Sequence, residues 1–486
     1  NSCNDCGIKL FLHPSDKTIE PDDYRNIIYG VSDKLGEGKI VAIKGIGGFL
    51  LCCDARNALV VDRLRKLKKR PTKPLAIMFP GIISLKQYAH FTAIEEASLL
   101  SPVSPIVLVK ADKTSELAFD QIAPGLKQIG VMIPYAPLFE LVLQQFGYPV
   151  VATSANISSS PIIFRDESSV EKLMEMADLI LTHNREIYTP QDDSVIRFTA
   201  GSNRQLILRR SRGLAPSYFG YQVMGDARVL STGAMMKSSF GLINEGKVFI
   251  SQYLGSTDTL EAQESYRHAM THMLSTLKYL PTHILSDQHS GYFSHQLALE
   301  LAEKYQCGFT MIQHHKAHFA AVLAENELFD TPDSVLGIIW DGTGSGEDGH
   351  MWGGDAFLYR DKQMHRLFQF DYFPVLLGDK MAREPRLSAL SICHDLVGIP
   401  ELISPYFTAS EWKLYNAMLS KDPPLQTCSA GRIFDAVAAL LGICPKQNHE
   451  GEAASLLESL ARGYTDENGL DVEPYQVSIT EKATIP

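Results

Sequence analysis

Two histidines four residues apart are the sharpest chemical signal in the sequence. His314 and His318 lie in a segment, residues 313–328, whose pattern predicts a helix, and side chains at this spacing share one helix face. Imidazoles on one face can bind the same metal ion, whereas His315 points about 100° away. Asp341 ends an apolar predicted strand and could supply a carboxylate. We predict a metal site of His314, His318 and Asp341, with surface histidines as the alternative.

A glycine-rich segment begins directly at Asp341. It reads Asp-Gly-Thr-Gly-Ser-Gly through Gly346, and the pair Gly353-Gly354 lies just beyond, on the next predicted strand. Backbone N–H groups that no side chain covers can approach phosphate oxygens closely. The segment therefore predicts a phosphate-binding turn, and a simple hairpin turn is the alternative. The candidate residues are Gly342, Thr343, Gly344, Gly353 and Gly354.

Seven cationic residues fall between positions 63 and 73. The run ends just before a predicted strand, Leu75–Phe79, and could form a triphosphate-binding patch. A solvated helix end is the alternative, since cations suit a helix C-terminus. Ser154 and Asn156 follow another predicted strand, at a position where α/β folds often bind ligands.

An acidic pair offers one further candidate. Asp192 and Asp193 precede a predicted strand and could serve a metal ion or a ribose, or form an ordinary acidic turn.

These residues need a scaffold, and the first part of the chain predicts an α/β domain. Short apolar runs alternate there with helical patterns such as Asn57–Lys69 and Glu167–Ala177, although the order of the strands cannot be derived from them. The predicted strands are Val41–Lys44, Leu75–Phe79, Pro105–Val109, Pro149–Thr153 and Leu179–Thr182.

The second part contains a weak internal repeat. A strand at Arg228–Thr232, a turn of small residues and a hairpin through Lys247–Tyr253 recur as a strand at Val335–Trp340, the turn 341–349 and the strands Met351–Tyr359 and Met364–Phe370. A repeat of this kind, with helices between, is typical of an actin-like fold that binds phosphates between two turns.

Length and composition limit the possible classes of protein. The 486 residues suit two or three domains, and the net charge of −11 argues against broad nucleic-acid binding. The sequence predicts neither a membrane span nor a signal peptide. Scattered cysteines indicate a reduced, cytoplasmic protein. Cys3 and Cys6 form half of a zinc site, so we expect the chain to be part of a longer protein.

Several segments together resemble the HypF family, the carbamoyltransferases of nickel–iron hydrogenase maturation. The first part is similar to that family's YrdC-like domain, and the second to its actin-like, duplicated ribonuclease-H-like domain. The matching segments of the first part are Lys44-Gly-Ile-Gly-Gly-Phe49, Arg70-Pro-Thr-Lys73-Pro74, Thr153-Ser-Ala-Asn156 and Asp192-Asp-Ser-Val195. Those of the second part are Gln313-His-His-Lys-Ala-His318, Asp341-Gly-Thr-Gly344, Trp352-Gly-Gly354 and Arg383-Glu-Pro385.

The resemblance implies a domain plan. Residues 1–16 would be the remnant of a zinc-finger-like segment that holds zinc in the full-length protein. Residues 17–215 would form the YrdC-like domain, and residues 225–486 the actin-like domain with its second lobe incomplete.

The resemblance also implies an activity. The YrdC-like domain would make carbamoyl-adenylate from ATP, as its magnesium complex, and carbamate released from carbamoyl phosphate. The actin-like domain would then transfer the carbamoyl group to the C-terminal cysteine of the partner HypE, for cyanide ligand synthesis.

Residue roles follow from the same resemblance. Lys44 would line the carbamate end, and Lys68, Arg70 and Lys73 would hold the phosphates near Ser154 and Asn156. Arg212 would be a further nucleotide contact, and Asp435 would meet the ribose. His314, His318 and Asp341 would bind zinc or iron.

Three other functions remain open. Synthesis of threonylcarbamoyl-adenosine in tRNA uses related domains, and so does O-carbamoylation of small molecules. A nucleotide-gated binding module without catalysis would fit the second part, but it leaves the first part unexplained.

Overall fold

The computed structural model describes residues 7–14, 23–112, 114–156, 161–165, 169–222, 227–398, 400–421, 423–469 and 484–485. The predicted zinc ligands Cys3 and Cys6 lie outside this part of the chain. The chain divides into two compact units, Asn1–Ile284 with Glu300–Cys307, and Leu285–Leu299 with Gly308–Pro486. The domain boundary expected between residues 215 and 225 stays a prediction.

The first unit contains fifteen strands and eight helices among the described residues. In chain order they are β1 (Leu10–His13), α1 (Tyr24–Gly36), β2 (Val41–Lys44), β3 (Phe49–Asp54), α2 (Ala58–Lys68), β4 (Ile77–Met78), α3 (Ile82–Leu85), β5 (Ala89–His90), α4 (Ala93–Leu99), β6 (Ile106–Ala111), α5 (Phe119–Ile122), β7 (Gln128–Met132), α6 (Pro137–Phe146), β8 (Val150–Ser154), α7 (Val170–Met174), β9 (Leu179–His183), β10 (Val195–Phe198), β11 (Gln205–Arg209), β12 (Ser217–Gln222), β13 (Val229–Ser231), β14 (Gly241–Asn244), β15 (Lys247–Ile250) and α8 (Leu260–Thr276).

The remaining elements begin with two that extend across the division in sequence. These are β16 (His283–Asp287) and α9 (Phe293–Tyr305). The others are β17 (Gly308–Ile312), α10 (His314–Glu325), β18 (Val335–Ser345), β19 (Met351–Arg360), β20 (Gln363–Phe370), β21 (Phe373–Pro374), α11 (Lys380–Arg383), α12 (Pro385–Cys393), α13 (Pro400–Ile403), a 3-10 turn (Ser404–Tyr406), α14 (Ala409–Leu419), β22 (Gln426–Thr427), α15 (Ala430–Leu440), α16 (Glu452–Asn468) and β23 (Thr484–Ile485).

A mixed sheet of eleven described strands forms the centre of the first unit. Its order is β1-β9-β2-β3-β8-β4-β7-β6-β10-β11, and β5 pairs with β6. Neighbouring residues of β2 point to opposite faces: Ala42 packs in one hydrophobic core, and Val41 and Ile43 pack in another. Helices therefore cover both faces, which explains why the central strands are apolar throughout.

The helix α2 confirms the predicted segment Asn57–Lys69 within one residue at each end. Asn57 caps its N-terminus by accepting a hydrogen bond from the backbone N–H of Leu59. Lys69 ends it in the left-handed conformation, at φ 51°. The segment predicted at Glu167–Ala177 is shorter than expected, because the helix α7 covers only Val170–Met174.

The later part of the first unit carries a smaller set of strands in the order β12-β15-β14-β13. The helix α8 is fixed to it by Tyr266, whose hydroxyl donates to the carbonyl of Thr232 over 2.7 Å. The hydroxyl of Tyr279 lies 2.9 and 2.8 Å from the carbonyl oxygens of Val229 and Ile243. The first strand-turn-hairpin of the predicted repeat thus exists as β13, β14 and β15.

In the second unit, the glycine-rich segment after Trp340 is not the turn that the sequence predicts. The strand β18 continues to Ser345, and its pairing with β19 shifts register between Trp340 and Gly344. The turn lies beyond it, where the N–H of Gly346 donates to the carbonyl of His350 over 2.9 Å. The predicted turn 341–349 was wrong for residues 341–345, because the strand pairing resumes at Gly344, opposite Trp352, and it was right for the turn that follows Ser345.

Helices cover part of the sheet that contains β18 and β19, and a buried arginine joins two helices of this unit. Arg386 in α12 is 1% exposed and forms ion pairs with Glu384 and with Glu411 of α14. Among the described residues, no helix is both long and apolar enough to cross a membrane.

Candidate functional site

Three predicted metal ligands meet in the second unit. One ligand atom from each of His314, His318 and Asp341 lies within 4.8 Å of the other two. The Nε2 atoms of the two histidines are 3.2 Å apart, and His314 Nε2 is 3.2 Å from Asp341 Oδ2. The helix α10 supplies both histidines from its first two turns, and Gln313 caps that helix by accepting from the N–H of Lys316. Helical spacing and a neighbouring strand therefore bring the three together.

Asp287 is a residue of the candidate site that sequence reasoning did not find. Asp287 is the last residue of β16, and its Oδ2 lies 2.7 Å from Nδ1 of His314. A carboxylate at that distance favours a proton on Nδ1, so Nε2 is the nitrogen that faces His318 and Asp341 and that a metal ion would bind. Asp287 lies 27 residues before His314, and no spacing rule connects the two.

The donor set fits a cation. Asp341 Oδ2 is buried and makes no hydrogen bond, although imidazole nitrogens of three histidines lie 3.2–3.7 Å from it. Burial raises the pKa of Asp341, but the neighbouring His314 and His318 lower it by more than burial raises it, so the pKa falls to about 2. Two imidazoles and one ionised carboxylate are ligands that zinc and iron accept.

His315 has a different position, as the helix geometry predicts. It is fully buried, its Nδ1 faces Gln313 Nε2 at 3.0 Å, and its Nε2 is 3.7 Å from Asp341 Oδ2. Burial lowers its pKa to about 4, so the ring is neutral at pH 7. We assign it to packing beneath the metal site.

The predicted phosphate-binding glycines surround this cluster closely. A Cβ at Gly344 would lie 2.4 Å from His315 Cε1 and 2.9 Å from His314 Cδ2, whereas one at Gly342 would meet nothing within 4 Å. A Cβ at Gly353, whose φ is +148°, would clash with the carbonyl oxygen of Asp341. Gly354 is packed against Cys428 and Phe370. Gly342 alone of these four has room for a Cβ, but its N–H donates to Asp341 Oδ1 over 2.6 Å and its carbonyl accepts from Ser429 Oγ.

Asp435 lies on α15, which begins beside the same strand. Ser429 caps that helix, and its Oγ is 3.0 and 2.8 Å from the carbonyl oxygens of Asp341 and Gly342. The carboxylate of Asp435 is 2% exposed and 2.7 Å from Arg432. Burial raises its pKa to about 6, although Arg432 opposes the shift. The predicted ribose contact thus faces an arginine of its own helix.

The predicted phosphate-binding cations of the first unit also meet. Lys68 Nζ donates to the carbonyl of Ser154 and lies 3.1 and 3.2 Å from the backbone and side-chain oxygens of Asn156. Arg70 Nη2 and Ser154 Oγ reach the same side-chain oxygen at 3.0 and 3.1 Å. All three N–H donors of Lys68 therefore have protein acceptors, and Lys68 holds the Ser154–Asn156 turn in place.

Charge accumulates around this turn. Burial, followed by the charge of Arg70, lowers the pKa of Lys68, and burial lowers that of Arg70. Asp192 opposes both shifts, and Arg209 lowers the pKa of Arg70 further. Lys73 is exposed on the same loop. Each of these cations makes the positive charge of its neighbours less favourable. An anionic ligand bound here would offset this repulsion.

Lys44 lies at the same edge of the sheet. It pairs with Phe49 across β2 and β3, while Leu50 pairs with Ser154 across β3 and β8, so Lys44 and Ser154 are separated by two strand spacings of ~4.8 Å. The ammonium of Lys44 is buried and donates to the carbonyls of His183 and Arg185 over 3.0 and 2.7 Å.

The structure places Arg212 differently from the other candidates. It is 4% exposed and donates to Asp193 and to the carbonyls of Val103 and Ser104 over 2.7–2.9 Å. Arg209, three residues earlier, is the arginine whose charge acts on Arg70. Sequence reasoning did not select Arg209, because Arg209 and Arg212 stand three residues apart in one basic segment and the sequence does not show which of them lies near Arg70.

Fold and sites define a class of protein: a YrdC-like α/β part and an actin-like part in one chain. Three family models match in this order, one described as telomere recombination (Sua5, YciO and YrdC) over residues 33–211, the HypF Kae1-like domain over 225–325, and the second subdomain of the carbamoyltransferase Kae1-like domain over 337–485. The chain belongs to the HypF carbamoyltransferase family.

Individual relatives agree with the family models. The chain is 35% identical to carbamoyltransferase HypF of Rhodobacter capsulatus over 470 residues, which are 95% of this chain and 61% of the relative. It is 35% identical to the probable carbamoyltransferase HypF of Methanocaldococcus jannaschii, over 96% of this chain and 60% of that one. The chain thus spans about three fifths of the curated relatives that it matches.

Two solved structures have the same fold. Full-length HypF in a phosphate- and nucleotide-bound form superposes with a TM-score of 0.88 at 33% identity, over all of this chain and 61% of the other. HypF of T. kodakarensis gives 0.87 at 34% identity, over 99% and 63%. The predicted α/β fold class and the predicted family are confirmed.

Proposed function

We propose that this chain activates carbamate as carbamoyl-adenylate and passes the carbamoyl group to a cysteine thiol. The observation that carries the proposal is the convergence of Lys68, Arg70, Ser154 and Asn156 at one sheet edge. The similar HypF structure in a phosphate- and nucleotide-bound form supports ATP as the ligand.

The first step needs cations. A carbamate oxygen attacks the α-phosphorus of ATP, forms the new P–O bond and expels pyrophosphate. Negative charge grows on the leaving group, and fixed positive groups aimed at it supply the largest stabilisation available. In our proposal, Arg70 and Lys73 meet the phosphates, Lys68 keeps Ser154 and Asn156 in position, and Lys44 lines the carbamate end.

The second unit would carry the transfer. His314, His318 and Asp341 would hold a divalent metal, which when bound supplies positive charge for phosphate oxygens. Gly342 and Thr343 are the proposed nucleotide contacts beside it, and Asp435 is the proposed ribose contact. A thiolate then attacks the carbamoyl carbon and AMP leaves with the C–O bond electrons.

From membership of the HypF family, we propose that the C-terminal cysteine of HypE is the acceptor and that carbamoyl phosphate is the source of carbamate. We propose the cytoplasm as the location. Unpaired cysteines in the described part of the chain agree with a reducing compartment.

One experiment separates this function from its rivals. The protein is incubated with MgATP and carbamate, with or without threonine, and the adenylate is identified by mass spectrometry. We expect carbamoyl-AMP. Threonylcarbamoyl-AMP would instead favour tRNA modification, a function supported by 29% identity over 139 residues to a threonylcarbamoyl-AMP synthase of Photobacterium profundum. No adenylate from either substrate would favour a binding module.

A matched pair of variants tests the site itself. Arg70→Ala should lower the rate of adenylate formation by about 100-fold, because a charge-assisted contact to the leaving group is lost. Lys66→Ala removes an exposed cation from the same region and should leave the rate within about twofold. Equal effects of the two variants would contradict a specific role for Arg70.

A further inference from the structure

Arg65 is a buried arginine that no step above uses. It lies in the third turn of α2 and is 5% exposed. An arginine is rarely buried this far unless its donors are satisfied. Its Nε donates to the carbonyl of Gln121, and its Nη2 to that of Ile122 over 3.0 Å. These two contacts fix the guanidinium plane against the end of α5.

The remaining nitrogen of Arg65 reaches the basic loop. Its Nη1 lies 2.9 Å from the carbonyl of Arg70 and 3.0 Å from that of Lys73. The N–H of Arg70 also donates to the carbonyl of Arg65 over 3.0 Å. A single nitrogen therefore contacts both ends of the four-residue segment from Arg70 to Lys73.

This segment begins just after the left-handed residue that ends α2. Its two ends carry the two cations assigned above to the phosphates. Where a backbone is held at both ends, the starting points of its side chains are fixed before a ligand arrives, and the ordering cost on binding falls. The planar fork of an arginine suits this task, because it offers five N–H donors on three nitrogens, whereas an ammonium offers three on one atom.

We propose that Arg65 is a positioning residue for nucleotide binding: it holds the loop so that Arg70 and Lys73 face the phosphates. The proposal rests on the function proposed above. A purely structural role predicts that loss of Arg65 lowers only the stability of the fold. The positioning role predicts that its loss also lowers the affinity for the triphosphate.

The test compares MgATP binding by isothermal titration calorimetry in the full chain, at a temperature at which every variant is folded. Arg65→Lys should raise the Kd by about 10- to 100-fold, because Arg70 and Lys73 would then be ordered only when the ligand binds, and this ordering lowers affinity. Arg63→Lys is the matched control. It lies on the same helix, is exposed, and pairs with Asp178 over 2.7 Å, and its Kd should stay within about twofold of the wild type.

Kinetics provides a second measurement. In adenylate formation, Arg65→Lys should raise the KM for ATP while kcat changes less than about threefold, because the reacting groups are intact and only their placement before binding is lost. A lower melting temperature with unchanged Kd and KM would overturn the proposal and leave Arg65 as structural. If Arg65→Lys does not fold, Arg65→Gln replaces it, since a neutral amide keeps two donors without a buried charge.

The two proposals fail separately. If the wild-type chain does not bind MgATP at all, the proposed function falls. If the wild type binds and both Arg65 variants bind equally well, only the positioning role falls.

Discussion

At the scale of single residues, the metal site depends on which nitrogen of His314 carries its proton. Asp287 accepts from Nδ1 at 2.7 Å, so Nε2 is left to face the cluster. The histidine pair and Asp341 could be predicted, because helical spacing and a strand end are local features of the sequence. Asp287 could not, because it reaches His314 only once β16 has paired with β17, the strand that precedes α10.

We expect Asp287→Ala to weaken metal binding by about 10- to 100-fold, because the acceptor that orients His314 is lost. Asp287→Asn keeps an acceptor without its charge and should lie between Ala and the wild type. Metal content after dialysis and competition with a chelator measure both.

Two further variants serve as the negative and positive controls for metal retention. His314→Ala should abolish metal retention, and Asp330→Asn, which removes only an exposed pair with Lys362, should leave it unchanged. Full retention in Asp287→Ala would refute the orienting role.

At the scale of elements, each site is made where separate elements end. Lys68 ends α2 and Asn156 follows β8, 88 residues later. The sequence predicts both elements and marks both residues as candidates. That they touch depends on the strand order β2-β3-β8-β4, which no local pattern contains. In the glycine-rich segment, the local pattern itself was misleading. Its composition suggests a turn at Asp341, but pairing with β19 extends the strand β18 to Ser345.

The strand β18 offers a matched pair of substitutions. Gly344→Ala should reduce metal retention severalfold, because its Cβ would lie 2.9 Å from His314 and 2.4 Å from His315 and the rings must move. Gly342→Ala adds the same atom two residues earlier, where nothing lies within 4 Å. Elemental analysis of both variants after dialysis should show loss only for Gly344→Ala. Equal retention in both would show that the rings move without cost to the site.

The contact between α12 and α14 predicts a dependence on pH. Hydrogen bonds from Arg386 are the main cause that lowers the pKa of Glu411 to about 2, below its ordinary value of about 4.3. A lowered carboxyl pKa stabilises the fold at neutral pH, and this contribution is lost as the pH falls from about 4.5 towards 2.

The variant Glu411→Gln keeps the capping box of α14 but not the charge. Its melting temperature should be lower than that of the wild type at pH 7 and should fall less steeply below pH 4.5. Glu95→Gln, in the capping box of α4, is the control. Parallel curves for Glu411→Gln and the wild type would contradict the assignment.

At the scale of the whole molecule, the two candidate sites belong to different compact units. Lys68, Arg70 and Asn156 lie within Asn1–Ile284, whereas His314, His318 and Asp341 lie within Gly308–Pro486. The predicted ligands of the two sites are chemically distinct, so each can be added or removed without the other. A ligand stabilises the part of a protein that holds it, by about 2.7 kcal/mol at 100 times its Kd.

Removal of the metal should therefore loosen one unit selectively. With EDTA, hydrogen exchange followed by mass spectrometry should speed up in peptides from α10 and β18 and stay unchanged in peptides from β2, β3 and β8. The His314→Ala variant, which should hold no metal, provides the control and should show no response to EDTA. Faster exchange in the peptides of both units would mean that metal binding supports more of the molecule than its ligands contact, and no change in either would mean that His314, His318 and Asp341 do not bind metal.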